Sequence, residues 1–97
     1  MDKPEQNPAA RRKAVALRYD AERDRAPTIV AKGSGFLAER IIELAKEHGV
    51  HLHGDPDLVA VLSKLNADAE IPPDLYRAVA EVLAFVYRIN RDQPKPR

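Results

Sequence analysis

Ninety-seven residues, 44% of them hydrophobic, make one small domain that buries roughly 60–65% of the surface its unfolded chain exposes. Sixteen basic against fifteen acidic side chains leave a net charge of +1, which argues against a polyanion as the main partner, and the lack of cysteine excludes disulfides, thiol nucleophiles and thiolate metal sites. No apolar run approaches the ~18 residues that span a bilayer, and Met1-Asp-Lys-Pro-Glu5 lacks the apolar core of a secretion signal, so a soluble, cytoplasmic chain is expected.

Residues 1–13, with Pro4, Pro8 and scattered charges, read as a disordered tail. Ala14-Val-Ala-Leu-Arg-Tyr19 alternates Val15, Leu17 and Tyr19 against Ala14, Ala16 and Arg18, which predicts a strand. A charged loop, Asp20 to Arg25, leads through Ala26-Pro27 to a second β-rich run, Thr28 to Lys32, stopped by Gly33-Ser-Gly35. Phe36 to His48 is predicted helical, with Leu37, Ile41, Leu44 and Ala45 on its buried face and Gly49 as a left-handed terminator.

Val50-His-Leu-His53 is short but strand-like. Asp55 is placed to cap a following helix whose first position suits Pro56 and whose buried face carries Leu58, Val61, Leu62 and Leu65. A polar loop, Asn66 to Glu70, precedes a long final helix started by Pro72 and Pro73, and residues 90–97 read as a second tail. The order β-β-α-β-α-α predicts an α/β domain over residues 14–89. Its mixed sheet of three to four strands is covered by about three helices, with at least one right-handed crossover.

The final helix has apolar residues to spare. Leu75, Val79, Val82 and Val86 form one stripe, and Tyr76, Ala80, Leu83 and Tyr87 form a second, beside a solvated strip of Asp74, Arg77, Glu81 and Arg88. The first stripe is assigned to the core. Periodicity leaves two readings of the second, as further core or as a face kept for a partner.

Three segments in this order resemble one family: Ala14-Val-Ala-Leu-Arg-Tyr-Asp20, Ala26-Pro-Thr-Ile-Val-Ala-Lys-Gly33, and Ile71-Pro-Pro-Asp-Leu-Tyr76 with Ala78-Val-Ala-Glu-Val-Leu-Ala-Phe-Val-Tyr87. They are similar to the C-terminal cytoplasmic domain of the FlhB/YscU family, the switch proteins of flagellar and type III secretion export machines, and Asp55-Pro-Asp-Leu58 matches that family's helix start. The resemblance covers about residues 14–89. It implies a soluble accessory of the export apparatus that binds export substrates or components of the membrane-embedded export gate through a hydrophobic patch. The matching positions here are Ala26, Pro27, Ala80 and Leu83.

The departures are specific. The family carries Asn-Pro-Thr-His-Tyr directly before its first strand and cleaves itself there, by cyclisation of the Asn side chain. In that register this chain has Ala9-Ala-Arg-Arg-Lys13. Its own Asn7-Pro8 lies two residues too far upstream, in a tail that supplies no strained turn. A non-enzymatic, non-cleaving module without cofactor is therefore expected, with two alternatives: autoproteolysis at Asn7-Pro8, or a weak nucleic-acid or lipid-binding module using Arg11, Arg12 and Lys13. The loop before the final helix also lacks the glycine usual in the family, and Ala60 stands where the family usually has Arg.

Other motifs read structurally. His51 and His53 point to one face of a strand, and His48 is near, but no third ligand is placed for a metal. Arg11, Arg12 and Lys13 would give nucleic acid or anionic lipid only weak, salt-sensitive binding. Gly33-Ser-Gly35 lacks the third glycine of a dinucleotide cradle and reads as a turn with a helix cap.

Overall fold

The computed structural model describes residues 12–92, with side chains as far as Val86. Asn7, Pro8, Arg11 and the residues from 93 onward lie outside that range, as do the side chains of Tyr87 and Arg88. The elements are β1 (Lys13–Arg18), β2 (Thr28–Ser34), α1 (Phe36–Glu47), α2 (Pro56–Leu62), a 3-10 turn (Pro73–Leu75) and α3 (Tyr76–Asp92). Lys13, the last residue of the expected tail, opens β1, and α3 runs three residues beyond the expected end of the domain.

β1 and β2 form an antiparallel hairpin, with Lys13 opposite Ser34 and Leu17 opposite Ile29, and a bulge between Ala16 and Leu17. The expected third strand, Val50–His53, does not form, and with it goes the strand–helix–strand crossover. The outer edge of β2 is occupied by the loop predicted to be merely polar. The Ile29 amide donates to the Ala69 carbonyl at 2.9 Å, the Asp68 amide to the Ile29 carbonyl at 2.7 Å, and the Ile71 amide to the Pro27 carbonyl at 2.9 Å. Asp68 achieves this pairing with φ at 71°, a left-handed conformation that Asp tolerates better than most residues.

The two faces of the hairpin pack differently. On one, Ile29 joins Leu62, Ile71 and Val79 in the buried core, with Val15, Leu17, Leu58, Leu65, Leu75 and Leu83 packed around them. On the other the partners are small: Ala14 is buried, and α1 comes so close that a Cβ on Gly33 would lie 2.5 Å from Leu37 Cγ. This close approach corrects the face expected of α1. Ala38 is its fully buried residue, Ile41 and Ala45 are half-buried, and Leu37 and Leu44 lie 56% and 37% exposed. On α2, Leu62 is buried as expected and Val61 is exposed.

Local chemistry fixes the helix ends. Gly49, at φ 70°, lets its own amide reach the Lys46 carbonyl and the Val50 amide reach that of Ala45, a Schellman closure of α1. Asp55 accepts the Leu58 amide at 3.1 Å, and Pro56 takes the first position of α2. The Lys32 ammonium, half-buried on β2, donates to the Ser63 and Leu65 carbonyls at 3.1 and 2.7 Å, placing a cation at the C-terminal end of α2.

Ile29→Ala is expected to cost about 2–5 kcal/mol in urea unfolding, because the neighbours cannot collapse into the cavity, whereas Phe36→Ala, at a side chain 75% exposed, should stay within about 0.5 kcal/mol. Equal effects would contradict this placement of the core.

Candidate functional site

The N-terminal half of α3 is flanked by two recesses. On one side the loop entering β2 closes against the helix, because the Pro27 carbonyl is held by the Ile71 amide just before α3 begins. A groove of about 200 Å³ lies there, lined by Tyr19, Arg25, Pro27, Tyr76, Val79, Ala80 and Leu83. Three of the four residues singled out from the sequence, Pro27, Ala80 and Leu83, thus share one recess. The fourth, Ala26, is 2% exposed and does not line it.

The two apolar stripes of α3 are less separate than their spacing suggests. Val79 is 1% exposed and forms the groove floor, Leu75 packs against the core, and Val82 and Val86 are only half-buried. Leu83 belongs to both settings, packing against the core while lining the groove, and Ala80 is exposed. The rim adds Tyr19 and Arg25, which the sequence did not single out. Both stand at ends of the charged loop, and only the closing of that loop onto α3 brings them to the helix. Arg25 Nε lies 3.2 Å from both carboxylate oxygens of Glu70, an exposed pair that contributes little to stability.

The recess on the other side is wider, about 470 Å³, and is lined by His53, Asp55, Asp74, Arg77, Ala78, Glu81 and Val82. Asp74, Arg77 and Glu81, expected as a solvated strip, are exposed and form no ion pair with one another among the described residues. His51 and His53 do face one way, but what they meet is Phe85, with ring centroids 5.4 and 6.1 Å apart. Among the described residues no group of three or more His, Asp or Glu is placed to hold a metal ion. Gly35, at φ 63°, caps α1 through its backbone alone, as a turn residue would.

The sequence from Asn7 to Val86 matches the FlhB HrpN YscU SpaS family. The chain belongs to that family. It is 44% identical over 79 residues to the uncharacterized protein YlqH of Bacillus subtilis, covering 81% of this chain and 85% of the relative. It is also 44% identical over 79 residues to the flagellar biosynthetic protein FlhB of Salmonella typhimurium, there covering 80% of this chain but 21% of the relative. Among solved structures it resembles the cytoplasmic domain of FlhB from Shewanella putrefaciens, with TM-score 0.76, 35% identity, and coverage of 87% of this chain and 70% of that one. The PscU C-terminal domain matches with TM-score 0.73 and 32% identity over 76% of this chain and 95% of that one. The mixed α/β architecture is the family's. No helix among the described residues is long and apolar enough to cross a membrane.

Neighbouring positions on α3 should respond oppositely to charge. Ala80→Asp, at an exposed groove position, is expected to leave the urea midpoint nearly unchanged, whereas Val79→Asp buries an unpaired carboxylate and should unfold the domain or cost several kcal/mol. Comparable tolerance at both would mean that the groove floor is misassigned.

Proposed function

We propose that this domain is a non-enzymatic docking module of a flagellar or related type III export apparatus. It works at the cytoplasmic face of the export gate and binds a short apolar segment of an export substrate or gate component in the groove beside Pro27. The reading is carried by one observation: Pro27, far in sequence from Ala80 and Leu83, lines with them a single recess whose floor is continuous with the core. Membership of the FlhB family supplies the pathway. An apolar recess of this size accommodates a side chain or two, so binding is weak and reversible, as suits a component that hands cargo on.

A pull-down of flagellar export substrates and gate components by the full chain tests this. Ala80→Asp, expected to keep the fold because the position is exposed, should weaken capture roughly tenfold or more, the equivalent of losing about 1.4 kcal/mol of apolar contact. Undiminished capture by that variant, or none by the unaltered chain, would reject the groove.

Self-cleavage forms no part of the proposed activity, since Asn7-Pro8 is followed by Ala9-Ala10 rather than Thr-His. After days at room temperature the intact mass should remain that of all 97 residues. Loss of residues 1–7 would make the protein autoproteolytic instead.

A further inference from the structure

The geometry points to Arg25 as the residue that selects among groove occupants, by favouring a segment with a carboxylate next to its apolar anchor. This rests on the docking role proposed above and adds the class of segment. Among the described residues Arg25 is the one charged side chain in the groove lining. Only its Nε is engaged, by Glu70, so both terminal amino groups of the guanidinium are without an acceptor among the described residues. Two of the three acidic residues of the same loop, Asp20 and Asp24, are occupied within it. Asp24 accepts the Asp20 amide at 2.9 Å, Asp20 accepts the Glu22 amide at 3.0 Å, and Asp20 also sits 3.7 Å from Arg23. None of these acids lines the groove.

The remaining polar side chains of the lining, Tyr19 and Tyr76, each carry a hydroxyl able to donate. An occupant therefore meets the apolar side chains of Pro27, Val79, Ala80 and Leu83 together with one positive charge among the described residues. The volume, about 200 Å³, falls below the ~300–1,000 Å³ of drug-sized sites and suits a peptide side chain. A planar guanidinium with its terminal groups free is the donor that best matches a carboxylate. Glu70, already on Nε, then acts as a resident competitor that lowers the preference without abolishing it.

NMR titration of the full chain with three capped hexapeptides, Gly-Ser-Leu-Glu-Ser-Gly and its Gln and Lys counterparts, tests this. The Glu peptide is expected to shift the Ala80 and Leu83 resonances and to bind about two- to fivefold more tightly than the Gln peptide, the range of an exposed ion pair, with the Lys peptide weakest. Arg25→Gln should erase the difference and Glu70→Gln should widen it, a pair of opposite signs that a merely structural role for Arg25 would not produce. If all three peptides reach the groove with equal affinity, the selective role of Arg25 is wrong while the docking site stands. If no peptide moves Ala80 or Leu83, or a peptide with Ser in place of Leu binds as well, the docking site itself fails and this inference with it.

Discussion

The double pairing of β2 at its start is the constraint on which the remainder of the structure depends. A two-stranded hairpin is marginal in water by itself. Here β2 bonds β1 on one edge and residues 68–71 on the other, and the Ile29 side chain between them is fully buried. That pairing sets Ile71 into the core beside Val79, and the next residues, Pro72 and Pro73, start the turn into α3. The helix is therefore positioned from the strand, through a few backbone hydrogen bonds.

The groove is a by-product of the same clamp. Its two walls, the loop entering β2 and the first turns of α3, are joined at one end by the Ile71 amide bonded to the Pro27 carbonyl. Ala80 is too small to fill the gap, and Leu83 is engaged with the core from the side. An apolar recess remains whose base is formed by the buried Pro27 and Val79, the fixed part of a surface otherwise lined by exposed and half-buried side chains.

Much of this was legible in the sequence where period and punctuation agreed. Alternation gave β1, a β-rich run ahead of Gly33-Ser-Gly35 gave β2, and Gly49, Asp55 and Pro56 marked helix ends that the backbone then used as expected. Resemblance rather than periodicity picked out Pro27, Ala80 and Leu83, because a helical stripe alone does not reveal which apolar positions meet a neighbouring loop. Val50–His53, short and strand-like in sequence, forms no strand, and the start of β2 is paired instead by residues 68–71, which carry no strand signal. The face of α1 was misjudged because weight was placed on its large residues, whereas the close approach to the sheet selects Ala38. The rim residues Tyr19 and Arg25 carried no periodic signal, since loop closure alone recruits them.

Hydrogen exchange of single amides under native conditions probes the clamp most directly. If β2 is held on both edges, the Ile29 and Ile71 amides, bonded to Ala69 and Pro27, should exchange only through global unfolding, with the same opening free energy as the Val79 amide in α3. Exchange of Ile29 and Ile71 at the rate of an ordinary surface loop, while Val79 stays protected, would mean that the loop is not fastened to the strand and that the groove has no fixed wall.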